Sequence, residues 1–317
     1  MKKRLAAILS MVMLLLVGVV GCTSGDKSTK DSAKEEKKTV VVTDQKGEVE
    51  VPVNPKNVVV LDYGSLDIMT KLEVEPVALP KGSLPAYLDK YKDDKYVDLG
   101  SLKEFDLEKI NEVAPDLIII EGRQESYYED LKKIAPVLYL GTANSDIFAS
   151  AENNAKVLGK VFAKEEGVTT ELGNINKRLE AVNAKVKENN STALMTMFNE
   201  GSLSVYGTGS RYDMVYSKFG FTPADTQIEA SNHGQNISFE YLKEKNPDYL
   251  FVLDRGAITG TQASVKEAVE NELMKTTKAY KDGHIVYVNP QAWYVGGSGI
   301  MAIDTIISDV EAALGIK

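Results

Sequence analysis

Two stretches of the chain carry one pattern: Asp106-Leu107-Glu108-Lys109-Ile110-Asn111-Glu112-Val113-Ala114-Pro115-Asp116-Leu117-Ile118-Ile119-Ile120, running on to Arg123, and Ser238-Phe239-Glu240-Tyr241-Leu242-Lys243-Glu244-Lys245-Asn246-Pro247-Asp248-Tyr249-Leu250-Phe251-Val252, running on to Arg255. The offset is 132 residues throughout. Each copy opens on an Asp or Ser suited to an N-cap and puts a Glu in the first turn, where the helix dipole favours negative charge. A Pro-Asp turn then stops the helix. The apolar run that follows reads as a strand buried on both faces, the habit of parallel sheets. Helix followed by buried strand, twice over, predicts right-handed parallel βα units and an α/β sheet in each of two lobes. Each copy places its Arg eight residues after the proline, just past the strand.

Working outward, Val58–Leu61, Val77–Leu79 and Val137–Leu140 read as further strands of a first lobe over residues 40–145. Leu194–Phe198, Leu203–Tyr206 and Ile285–Val288 do the same for a second lobe over 190–317. Between them, residues 146–189 space Val157, Val161, Val168, Leu172, Ile175, Leu179, Val182 and Val186 at helical intervals, with Gly167 and Gly173 as candidate interruptions. This predicts a long helix bridging the lobes, with a cleft between their strand ends.

The N-terminus reads as an export signal over residues 1–21: Lys2, Lys3 and Arg4, then an apolar run from Leu5 to Val20, then Gly21 before Cys22. The alternative is an uncleaved membrane helix, since the run approaches the ~18 residues that could span a bilayer. Cys22 is the only cysteine, which excludes a disulfide and any Cys-based metal site. Residues 22–39 are rich in Ser, Lys, Asp and Glu and read as a disordered tether. The net charge of −9 falls to −12 once the three cations of the signal are removed. Nucleic acid and anionic membrane surfaces are poor partners for such a chain.

Ligands of open α/β sheets bind at strand C-termini, so the residues placed there carry the functional reading. The chain has five arginines: Arg4 lies in the signal, Arg178 reads as lying on the exposed face of the bridging helix, and Arg123, Arg211 and Arg255 follow strands. Arg presents a planar fork that binds oxyanions and stacks on aromatic faces. The alternative is local pairing, Arg255 with Asp254 for instance. Of the two histidines, His233 lies in the polar loop Ser231–Gln235 and His284 opens a strand as a surface turn residue. Tyr294 sits in Trp293-Tyr294-Val295-Gly296-Gly297-Ser298-Gly299, between the last strand and a C-terminal helix. Fe(III) is a hard cation that favours phenolate oxygen and accepts imidazole. A lone Tyr and a lone His are equally compatible with structural roles.

The cysteine after the signal, the two Pro-Asp repeats, the bridging helix and the strand-end arginines resemble the binding proteins that serve siderophore and vitamin B12 importers. More closely, the segments LKEFDLEKINEVAPDLIII, YGTGSRYDMVY, SNHGQNISFEYL, NPDYLFVLDRG and AWYVGGSG resemble the catecholate-siderophore binders of the YclQ and CeuE type. The resemblance runs over essentially the whole chain from about Val40. It implies two Rossmann-like lobes joined by a long bridging helix, the class III periplasmic-binding-protein fold, and a lipoprotein acylated at Cys22. It implies a basic triad of Arg123, Arg211 and Arg255 facing catecholate oxygens, with Lys103 as an additional cation. His233 and Tyr294 match residues that complete iron coordination when the siderophore supplies four oxygens. Glu108 and Glu240 match acidic knobs that dock on the permease of an ABC importer, although a charge stabilising a helix N-terminus explains each equally well.

The function expected is capture of a ferric catecholate siderophore, of petrobactin or enterobactin type, by a monomer with no cofactor of its own. No G-x-S-x-G elbow, P-loop or H-E-x-x-H helix is present, so enzymatic chemistry is not expected. Two histidines scarcely suffice for a zinc or manganese binder. Haem or cobalamin, for which one axial ligand could suffice, remains the alternative.

Overall fold

The computed structural model describes residues 38–143, 146–259 and 265–316. The signal segment, Cys22 and nearly all of the tether expected over 22–39 lie outside the described residues. Among the described residues no helix is long and apolar enough to cross a membrane.

The first lobe begins with a hairpin, β1 (Thr39–Asp44) and β2 (Gly47–Pro52), paired antiparallel. Its body is a sheet of β3 (Val58–Val60), β4 (Ala78–Leu79), β5 (Val97–Asp98), β6 (Leu117–Ile120) and β7 (Val137–Tyr139), ordered β5-β4-β3-β6-β7. Every pairing in it is parallel. All four residues of β6 are buried, as expected of a strand covered on both faces.

The second lobe comprises β8 (Thr192–Asn199), β9 (Ser202–Tyr206), β10 (Thr222–Pro223), β11 (Gln235–Ile237), β12 (Tyr249–Asp254) and β13 (Ile285–Tyr287). Its main path is β11-β9-β8-β12-β13, with β10 on β8. Here the sequence expectation needs correction: β8, β12 and β13 are parallel, but β9 runs antiparallel to both β8 and β11. The cause is the two-residue turn Glu200-Gly201, with φ of 50° and 82°, which is the positive-φ geometry of a tight hairpin.

The 132-residue repeat is realised in three dimensions. Asp106 and Ser238 cap the helices Leu107–Glu112 and Phe239–Lys245, and β6 and β12 follow. Ala114 (φ 46°) and Asn246 (φ 45°) turn the chain into each Pro-Asp pair. The aspartates do more than end a helix. Asp116 Oδ2 accepts the N–H groups of Lys56 and Asn57 at 3.0 Å, and Asp248 Oδ2 accepts the N–H of Thr192 at 2.9 Å. Each thereby holds the entry of the central strand that its own strand pairs with.

The stretch expected as one bridging helix is two, Ile147–Val161 and the 25-residue Glu165–Asn189. The break falls at Phe162–Lys164, where Ala163 has φ 51°, and not at Gly167 or Gly173. Val168, Ile175 and Val182, seven apart, are buried in the same core as the C-terminal helix Ile300–Leu314. Arg178 is corrected too. It is not a free surface residue but bonds Glu311 at 2.9 and 2.7 Å and Asp304 at 3.2 Å, tying the long helix to the C-terminal one.

Candidate functional site

In the second lobe the site is built around the Tyr294 ring. The Arg211 guanidinium carbon lies 4.2 Å from its centroid and that of Arg255 lies 5.7 Å away, both within cation–π range. Arg211 Nη2 also donates to the Tyr294 carbonyl at 2.8 Å and the group lies over Tyr212 at 5.6 Å. Among the described residues the arginine ion pairs are those of Arg123 and Arg178. Arg211 and Arg255 therefore share the Tyr294 ring, and neither has a carboxylate partner among the described residues. Local pairing of Arg255 with Asp254 is not seen; Asp254 Oδ1 accepts the Ala257 N–H at 3.3 Å. Arg211 reaches Tyr294 from an unexpected direction, because Tyr206, the end of β9, pairs with Met195 near the start of β8.

Tyr294 sits in a π-helical turn, Gln291–Val295, a form that recurs at functional positions. Its neighbour Trp293 is buried, stacks on Phe251 at 6.1 Å and donates Nε1–H to Asp309 at 2.8 Å. The segment is also seated on the first lobe. The Ala86 N–H donates to Gln291 Oε1 at 2.8 Å, and Ser298 Oγ lies 2.9 Å from Thr142 Oγ1 and 3.2 Å from Asn154 Nδ2. Asp67, fully buried in the helix Tyr63–Lys71, accepts the N–H groups of Met301 and Ala302 at 2.7 and 2.9 Å. It thus caps the C-terminal helix from the first lobe. Burial pushes the Asp67 carboxyl up to about 7, against those two donors. A Cβ on Gly299 would stand 2.3 Å from its Cγ, so only glycine admits this approach.

In the first lobe Arg123 follows β6 and donates Nη1–H to Glu121 Oε1 at 2.5 Å. Of the three strand-end arginines, two meet at Tyr294, and the third takes the local-pairing alternative with the carboxylate two residues before it. Glu121 is held by a reciprocal capping box with Gln124, whose Nε2 also donates to the Leu102 carbonyl at 2.6 Å. That bond fixes the Gly100–Phe105 loop beside Arg123, and with it Lys103, whose side chain is exposed. Asp62, which caps the helix Tyr63–Lys71, accepts the Ser65 N–H at 2.7 Å while its Oδ2 is buried without a partner. Burial raises its carboxyl to about 6, with Glu121 adding to the rise and Arg123 opposing it.

His233 is exposed, and its backbone carbonyl accepts the Tyr206 hydroxyl at 3.1 Å. Gly234 (φ 74°) makes this possible, since a Cβ there would lie 2.8 Å from Tyr206 Cζ. His284 is more engaged than a turn residue, stacking on Tyr249 with centroids 4.1 Å apart. Glu108 and Glu240 are exposed in the first turns of the two repeat helices. A hollow of about 400 Å³ beside Glu121, lined by Tyr139, Thr142 and Asp146 among others, contains no guanidinium. The site is assigned to the charged residues rather than to that hollow, because complementarity to an anion depends on charge more than on enclosure.

The family profile described as periplasmic binding protein matches residues 58–292. The chain belongs to the periplasmic binding protein family. Over 97% of its length this binding protein is 42% identical to the petrobactin-binding protein YclQ of Bacillus subtilis, covering 98% of that protein. The crystal structure of that protein superimposes with a TM-score of 0.83 over 88% of this chain and 99% of the other, at 43% identity. It is also 30% identical to the ferric-anguibactin-binding protein FatB of Vibrio anguillarum, with 98% of both chains covered. The catecholate-siderophore binding protein VctP of Vibrio cholerae matches with a TM-score of 0.81 and 36% identity over 87% of this chain and all of that one. The two lobes and the long helix are thus those of a class III periplasmic binding protein, and its relatives are binding proteins rather than enzymes.

Three residues of this binding protein escaped the sequence reading. Glu121 lay inside the repeat, where its counterpart 132 residues on is Leu253; that mismatch was the available signal. Asp62 and Asp67 follow a short apolar run and gave no periodic cue, since their importance depends on burial.

Proposed function

We propose that this periplasmic binding protein captures a ferric catecholate siderophore, of petrobactin or enterobactin type, between its lobes. It then delivers the complex to the permease of an ABC importer, acting as a monomer anchored to the membrane through lipidated Cys22. The observation that carries this reading is the pair of uncompensated guanidiniums, Arg211 and Arg255, on the face of Tyr294. Two like charges on one ring repel unless an anion joins them, and a planar catecholate offers both charge and a face to stack on. The names of the relatives, binders of petrobactin and of catecholate siderophores, support the same ligand class.

Charge and geometry then account for capture. A ferric tris-catecholate carries a formal charge of about −3 and a bis-catecholate about −1, whereas neutral hydroxamate chelates carry none for the guanidiniums to offset. Arg123 and Lys103 would face the chelate from the first lobe. With a bis-catecholate, iron keeps two open positions, which the Tyr294 phenolate and the His233 imidazole are suited to fill. No bond to carbon is made or broken.

The test uses Trp293, the only tryptophan, beside Tyr294. Purified protein is titrated with ferric bis-catecholate, ferric tris-catecholate, a ferric hydroxamate, haem and cobalamin, following tryptophan quenching. Tight quenching by the first two alone is expected, with visible absorption near that of an iron catecholate; a Soret band with haem would instead select the alternative. Tyr294→Phe and His233→Ala are expected to weaken the tetradentate complex at least tenfold more than the hexadentate one, about 1.4 kcal/mol of difference. Equal losses would rule out direct iron ligation.

A further inference from the structure

We infer that Glu121 is a specificity-determining residue: a fixed negative charge at the first-lobe edge of the cleft that disfavours a triply charged tris-catecholate relative to a singly charged bis-catecholate. This rests on the catecholate reading above and goes beyond it in naming which chelate the site prefers and why.

Four observations converge on Glu121. The repeat breaks there: Arg123 and Arg255 match, but the position two before them is Glu in one copy and Leu253, fully buried, in the other. Only the first-lobe arginine has been given a carboxylate at that spacing. Second, this carboxylate is held in place. Its side chain is 15% exposed and is locked by the capping box with Gln124, itself fully buried and anchored to Leu102. Third, Arg123 is the more exposed member of the pair, with a side chain 44% exposed and joined to Glu121 by one 2.5 Å contact. Fourth, Asp62 adds a second buried carboxyl, whose Oδ2 has no partner, to the same edge.

The two edges therefore differ in charge. The second lobe offers two unopposed guanidiniums, whereas Arg123 in the first is offset by Glu121. If Arg123 turns toward a bound chelate, the Glu121 charge stays behind, because its own hydrogen bonds hold it. Coulombic repulsion from a fixed charge scales with the charge of the ligand, so it is about three times larger for the tris- than for the bis-catecholate. Discrimination of this kind comes from a built-in repulsion rather than from an added contact.

Glu121→Gln keeps the capping acceptor and removes the charge. Wild-type and variant proteins are titrated by Trp293 quenching, in the same buffer, with the iron(III) complexes of a tetradentate bis-catecholamide and a hexadentate tris-catecholamide. The ratio of Kd values, tris over bis, is expected to fall roughly tenfold in the variant. A ratio unchanged within about twofold, whether both affinities stay or move together, overturns the inference. Arg123→Gln supplies the opposite arm and keeps the question open to decision should Glu121→Gln fail to fold. With Glu121 left bare the ratio should rise at least about threefold, and a ratio that stays or falls overturns the inference equally. Failure of the wild-type protein to bind either chelate overturns the catecholate reading and this inference with it; binding with an unmoved ratio overturns this inference alone.

Discussion

Asp62 caps the helix Tyr63–Lys71 with one carboxylate oxygen on the Ser65 N–H and the other buried with no donor, and its carboxyl is raised to about 6 by that burial. The folded state therefore holds a proton more tightly than the unfolded chain, whose Asp titrates near its ordinary value of about 4. Between about pH 4 and 6 the native state binds more protons, so stability falls as pH rises through that window. Asp67, raised to about 7 by burial, contributes with the same sign. Thermal unfolding followed by circular dichroism from pH 4.5 to 7.5 is expected to show a midpoint that declines across the range. Asp62→Asn should flatten the decline by roughly 2–3 kcal/mol of its span. An unchanged slope would mean that Asp62 titrates near its ordinary value despite its burial.

At the scale of elements, the two repeat helices end alike but not equally well. Ala114 and Asn246 both take φ near 45°, a left-handed conformation that Asn tolerates and Ala does not. Ala114→Gly is expected to stabilise the protein by about 1 kcal/mol in urea unfolding, with no change in chelate binding. No gain in the midpoint would show that the turn is not strained. The long helix is held to the C-terminal helix by Arg178, whose guanidinium meets Glu311 and Asp304 where all three side chains are half-buried. Arg178→Ala leaves the half-buried Glu311 without its cation and Asp304 with only Lys71, at 3.5 Å, and is expected to cost about 2 kcal/mol, again without altering the ratio of chelate affinities. A cost below about 0.5 kcal/mol would reclassify the cluster as a solvated surface pair.

The whole molecule places Glu108 and Glu240 at corresponding positions of its two lobes, exposed, in the first turns of the repeat helices. Glu240 is held below the usual carboxylate range by its own N–H and the Ser238 side chain. Under the proposed hand-over of ligand to a permease, paired acids are suited to meet paired cations of the partner. The double variant Glu108→Ala, Glu240→Ala is expected to bind chelate with unchanged affinity while iron uptake by cells relying on it drops at least about tenfold. Uptake at the wild-type rate would reduce both residues to helix-dipole roles, worth about 0.3–1 kcal/mol each. The seating of Gln291, Ser298, Met301 and Ala302 on first-lobe residues means that the segment bearing Tyr294 touches both lobes.

What the amino-acid sequence determined alone was whatever local chemistry controls. The N-caps at Asp106 and Ser238, the Pro-Asp stops and the apolar runs of β6 and β12 are written in neighbouring residues, and their repetition at a constant offset implied two α/β lobes. The scarcity of arginine and the company of Tyr294 marked the candidate site as well. Tertiary structure alone decided the helix break at Ala163, the seat of Arg178 and the pairing of Arg123 with Glu121, whereas the reversal of β9 is written locally in the Glu200-Gly201 turn. Residue spacing encodes which face an element buries, but not its direction in a sheet. Nor does it say which of several reachable carboxylates a long flexible cation will choose, because that depends on burial and on partners brought close only when the chain has folded.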